Sequence, residues 1–193
     1  MSAVLQWGGL HVEFTPGEDR RGHTVYWVPG SDQAQAVPLL RSVEGNPRQP
    51  WPPSPVIQHL VDHSRQLGRP LLLGIGMTAS AHFSLALSAE AAGELRWEVA
   101  ARCNSRPQKL GSRYEVLVPW EAMGPQELRL CLPAAETSLP EKEPPRLVLS
   151  LEQQPACRTA WQQTRQGHLL LHPASVAEEF PETVRWGFSL RVS

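Results

Sequence analysis

Nineteen prolines punctuate this 193-residue chain, and their spacing limits the length of every element it can form. Proline has no N–H to donate, and it interrupts both helix interiors and central strands. The longest stretch it spares runs from Leu71 to Arg106, so this is where extended, paired structure has most room. Elsewhere the chain must be built from short pieces and firm turns.

The spared stretch has the periodicity of a half-buried antiparallel pair. Phe83, Leu85 and Leu87 alternate with His82, Ser84 and Ser88. After a turn at 89–93, Leu95, Trp97, Val99, Ala101 and Cys103 alternate with Arg96, Glu98 and Arg102. Ahead of them Leu71 to Ile75 reads as an apolar strand, in which Gly74 and Gly76 mark a bulge or the close approach of another backbone. The same alternation recurs in Leu10, Val12 and Phe14 and, most cleanly, in Val184, Trp186, Phe188, Leu190 and Val192. Shorter candidate strands lie at His23 to Val28, Tyr114 to Val118, Leu128 to Leu132 and Leu147 to Leu151. The predicted fold is therefore mainly β, an antiparallel β-sandwich or open barrel.

One segment reads as a helix. Val56, Ile57, Leu60, Val61 and Leu67 fall on one face at helical spacing, with Ser54 as N-cap, Pro55 as first helical residue and Gly68 as the stop. The prediction is an amphipathic helix over 55–67 packed on the sandwich, reached through a proline-rich connector at 44–55 that Trp51 anchors. Ser175 and Glu178 have the spacing of a capping box for one further turn, stopped at Pro181. A mobile loop is expected at 133–145, all within one domain spanning 1–193.

The formal net charge is −1 and there is no basic block, which argues against binding nucleic acid through charge. No 18 apolar residues follow one another and Met1 to Leu10 has no cationic start, so neither a membrane span nor export is expected. Cys103, Cys131 and Cys157 are odd in number and form no CxxC, consistent with reduced thiols in the cytoplasm. Gly74-Ile75-Gly76 lacks the third glycine and the following helix of a dinucleotide site. No cofactor is expected.

Three groups of residues carry the candidate chemistry. His59 and His63 stand four apart on the predicted helix, where two imidazoles can share a metal. His82, Ser84, Arg96, Glu98 and Arg102 form a polar strand face suited to a ligand. Trp120, beside Pro119, offers an aromatic surface. No nucleophile elbow is present. The leading expectation is a non-catalytic module that binds a partner protein or a small polar ligand such as a carbohydrate. The alternative is a metal-dependent or carboxylate-based hydrolase. The final strand, Val184 to Val192, is also a candidate for pairing edge-on with a partner.

Two resemblances bear on this. Residues 113–124, with Glu115, Val118-Pro119-Trp120 and Met123-Gly124, resemble a segment of family 9 carbohydrate-binding and DOMON-like β-sandwich domains, in which a strand of the form E-x-x-[IV]-P-W runs into a single turn. The resemblance implies the sandwich fold and a tryptophan covering its end; the Asp-Gly…Trp element that opens such domains has no match, so no ligand residue carries over. Trp51-Pro52-Pro53-Ser54-Pro55, Gly76-Met77 and His82-Phe83-Ser84 together are similar to an uncharacterised family of planctomycete bacterial proteins, which implies no mechanism.

Overall fold

Every strand that the alternation predicts is found in a computed structural model that describes residues 2–30, 33–90, 93–132, 145–176 and 178–192. In chain order the strands are β1 (Ala3–Trp7), β2 (Leu10–Pro16), β3 (Arg21–Trp27), β4 (Val37–Ser42), β5 (His59–Asp62), β6 (Leu71–Met77), β7 (Ala81–Ala89) and β8 (Glu94–Cys103). They continue with β9 (Ser112–Val116), β10 (Trp120–Ala122), β11 (Glu127–Leu130), β12 (Leu147–Leu151), β13 (Gln153–Gln154), β14 (Cys157–Gln163), β15 (Leu169–Pro173) and β16 (Glu182–Val192). The first sheet has the order β1-β2-β3-β4-β9-β15-β14-β13 and the second β10-β11-β12-β16-β8-β7-β6-β5, with every pairing antiparallel. Residues 133–144 of the predicted loop lie outside the described residues.

The inward residues of the two sheets form one apolar core. Val12, Phe14, Val25 and Leu40 come from the first sheet, and Leu87, Leu95, Trp97, Phe188 and Leu190 from the second. Trp97 stacks on Phe188 at 4.9 Å, and Tyr114 meets Phe188 edge-on at 5.8 Å, joining the sheets through their rings. Trp186 is fully buried and satisfies its indole N–H by donating to Ser112 Oγ at 2.9 Å. Each such side chain contributes about 1.5–3 kcal/mol by leaving water, so the interior accounts for two of the seven tryptophans.

The last strand corrects one expectation. β16 is no free edge: β8 pairs along it from Glu182 to Arg191, and β12 takes its other side from Phe188 to Val192. Below that point the chain leaves β12, Glu152 N–H bonds the Gly187 carbonyl at 3.0 Å, and Thr159 of β14 accepts the Gly187 N–H at 2.8 Å. The cleanest alternating strand is central because a strand paired on both sides and packed on one face is where alternation is most strictly required.

The helix predicted over 55–67 is also corrected. Only Ser64–Leu67 is helical (α1), and Gly68 ends it at a left-handed φ of 66°. His59–Asp62 is instead the edge strand β5, paired with β6. Val56 and Ile57 are buried against the inner side of β6, where Gly74 and Gly76 leave a recess. A Cβ at Gly74 would lie 2.9 Å from Ile57 Cγ2, and one at Gly76 would collide with the Val56 carbonyl. The two glycines mark the close approach of another backbone, and Val56 and Ile57, just after the connector, supply the side chains that β6 lacks. Ser54 caps no helix: its hydroxyl donates to the Arg113 carbonyl at 3.1 Å and accepts the Arg113 N–H at 3.0 Å. Three β-branched residues, Val56, Ile57 and Val61, favour this extended course once a partner strand is available. Glu178–Phe180 bend rather than wind. Among the described residues no helix is long and apolar enough to cross a membrane.

Candidate functional site

The two informative departures from an apolar inside and a polar outside are a buried polar cluster and an exposed apolar strip. The cluster lies at one end of the first sheet, beneath the start of the proline-rich connector. His23 Nε2 and the Tyr114 hydroxyl share a hydrogen bond at 3.0 Å, and Ser42 Oγ accepts the His23 N–H at 2.7 Å. Phe14 stacks on the imidazole at 5.1 Å. Burial pushes His23 down to about 4 and holds the Tyr114 phenol above its usual range.

Glu44 adjoins this cluster. Burial pushes its carboxyl up to about 7, against the opposing pull of Ser42 and Arg20, while Asp19 adds to the rise. Its Oε2 is sealed from solvent and has no partner among the described residues. Arg20 is buried and spends its guanidinium elsewhere, gripping Asp19 at 2.9 and 2.6 Å and donating to the carbonyls of Glu44 and Pro47 at 3.4 and 3.3 Å. These bonds fasten the connector to the β2–β3 turn. The perturbed groups are closed in and mostly satisfied by one another, which makes the cluster a fastening rather than a place for substrate.

The exposed strip lies on the outer face of the second sheet. Strand register sets out its rows. One runs His59, Ile75, Ser84, Ala100, Arg185, and the next Val61, Leu73, Ala86, Glu98, Gly187. Beyond the first lies Met77, His82, Arg102, Thr183. On the β5–β6 side the rows carry an exposed apolar strip beside His59: Val61, Leu73, Ile75 and Met77 are 38–57% exposed. Ser84, Ala86 and Ala100 form a low floor in the middle. On the far side Gln154, Ala156 and Cys157 of the β13–β14 hairpin rise as a second wall, enclosing a groove of about 420 Å³.

The charges around this groove are unevenly matched. Arg96 Nη2 holds two carboxylates at once, Glu98 at 3.1 Å and Glu152 at 2.8 Å. Glu152 also accepts the N–H groups of Gln153 and Gln154 at 3.1 and 3.3 Å, which sets the hairpin wall. Burial, followed by Glu152 and Glu98, pushes the Cys157 thiol up. It is a protonated lining group here, since a reactive thiol needs a lowered value.

The predicted site residues are therefore only partly brought together. Ser84 and Glu98 line the groove, His82 faces Arg102 at one end, and Arg96 fixes the other. His59, predicted for a helix, joins the same face beside Ile75. His63 lies beyond the strand and pairs with Gln66 Oε1 at 2.7 Å through Nδ1. Four residues on an extended chain span about 13 Å, so the shared-metal geometry of the predicted helix is gone. Among the described residues no three histidine, cysteine or acidic side chains cluster as metal ligands would. Trp120 lies on β10, at the opposite edge of the sheet from β5, and meets Trp161 of β14 edge-on at 5.7 Å. It bridges the two sheets and takes no part in the groove. Sequence reasoning missed the hairpin wall, because Gln154-Pro155-Ala156-Cys157 carries no strand periodicity. No family model matches this chain, and no curated protein sequence matches it.

Proposed function

We propose that the chain is a non-catalytic binding module that holds an extended segment of a partner protein on the outer face of its second sheet. The observation that carries this reading is the exposed strip Val61, Leu73, Ile75 and Met77 alongside a floor of small residues. Contiguous exposed apolar surface marks association sites on proteins. A floor of Ser84, Ala86 and Ala100 lets a main chain approach closely, while the apolar strip offers burial to alternate side chains of an extended segment. A sugar would favour aromatic platforms, and none of the described groove-lining residues is aromatic, so the partner-protein form is preferred to the carbohydrate one.

Selection of a displayed random-peptide library on the whole chain tests the reading. Enriched peptides should bind the wild type and lose binding to Ile75→Ser and Leu73→Ser, both of which should retain the wild-type unfolding midpoint. Enrichment indifferent to both substitutions would sink the proposal. Sedimentation analysis gives the other decisive outcome: self-association abolished by Ile75→Ser would put a second copy on the strip in place of a partner.

A further inference from the structure

We infer that the segment held in this groove is acidic at one end, its carboxylates received by Arg102, Arg158 and Arg185. This rests on the binding reading above and deepens it. Arg185 stands at the end of the row that begins with His59 and Ile75, on the wall of the groove. Arg102 is its diagonal neighbour across β8 and β16, at a spacing of about 7–8 Å, through Thr183. Beside them a polar hollow of about 360 Å³ opens on the other side of the hairpin, with Arg158, Ser175, Thr183 and Arg185 in its wall. Arg185 and Ala156 line both cavities, so the hollow continues the groove.

The three guanidiniums are exposed, and among the described residues none has an ion-pair partner within 4.0 Å. Among the described residues Glu182 is the one carboxylate in the hollow wall. At the other end of the groove the balance is reversed, since Glu98 and Glu152 share the single Arg96. Along β8 the field therefore changes sign, from positive at Arg102 and Arg185 to negative at Glu98 and Glu152. An occupant with carboxylates at the first end and none at the second is favoured at both. Arginine suits this task because its planar fork takes a carboxylate through two parallel bonds. The hollow also presents the Ser175 and Thr183 hydroxyls as further donors.

The test uses peptides of about ten residues with a common alternating valine–serine core, flanked at either end by three aspartates, three serines or three lysines. Fluorescence anisotropy should find the aspartate peptides about tenfold tighter than the lysine ones at low salt, with the gap shrinking as salt rises. The double variant Arg158→Ala/Arg185→Ala should close the gap, weakening the aspartate peptides more than the serine ones. If all peptides bind alike and Ile75→Ser weakens them all, the groove reading survives and the acidic occupant is overturned. If none binds at about 1 mM, both are overturned. Equal unfolding midpoints for wild type and variants confirm that binding alone was changed.

Discussion

Two regions of this protein break the rule that polar groups face water, and they break it in opposite directions. At the end of the first sheet His23 and Tyr114 are buried and bond one another, half-buried Ser42 accepts the His23 backbone N–H, and Glu44 and Arg20 pack alongside. On the outside of the second sheet Val61, Leu73, Ile75 and Met77 are exposed and meet nothing comparable. The first departure is largely resolved inside the chain: all but Glu44 Oε2 among its polar groups find a neighbour, and the result ties the proline-rich connector to the sheet. Among the described residues the second has no such resolution. That asymmetry is why the buried cluster is read as structural and the exposed strip as the place where another molecule belongs.

The contrast can be broken most forcefully from the buried side. His23→Ala opens a cavity against Phe14 and leaves the Tyr114 hydroxyl without its partner, and should cost about 3–4 kcal/mol, measured by urea unfolding at neutral pH. A loss below about 1 kcal/mol would mean that the cluster is incidental.

The pH dependence sharpens the same point. His23 sits at about 4 in the fold against 6.5 ordinarily, so its contribution is full above 6.5 and is lost as the pH falls towards 4. Glu44 sits at about 7 against 4.5, so its contribution is full below 4.5 and is lost as the pH rises towards 7. The two slopes oppose each other across most of the same window. Glu44→Gln removes one of them. Relative to wild type, the variant should gain about 3 kcal/mol on going from pH 4 to pH 8, read from urea midpoints across that range. A constant difference would place Glu44 in contact with water.

Neighbouring positions on β6 probe the two sides of one strand. Gly76→Ala drives a methyl group into the Val56 carbonyl on the inner side and should cost about 1–3 kcal/mol, with faster proteolysis of the connector. Ile75→Thr, one residue away on the outer side, should change stability by less than about 0.5 kcal/mol while weakening peptide binding. If Ile75→Thr proved the more destabilising of the two, the outer strip would be part of the core and the binding reading would fall.

Much of the fold was legible in the sequence because period-two alternation is a local property. A strand with one face packed must place apolar residues at every second position, whatever it pairs with. Leu95 to Cys103 and Val184 to Val192 therefore declared both their conformation and their buried face, and Ser84 and Glu98 were correctly assigned to the other. The segment 55–67 was misread because its apolar positions fit a helix equally well. What decides against the helix is a recess in β6 and an unpaired strand edge, neither of which belongs to the segment itself.

The candidate site divides in the same way. The sequence by itself determined which residues of each strand share a face, since that follows from backbone geometry alone. Only the tertiary structure decided which faces meet. It set His59 beside Ile75, raised the Gln154–Cys157 hairpin as a wall, brought Arg158 next to Arg185, and closed His23 onto Tyr114 across 91 positions. Those juxtapositions depend on strand order and register, which contacts distant in sequence establish. A pattern of apolar and polar residues constrains them without naming the partner.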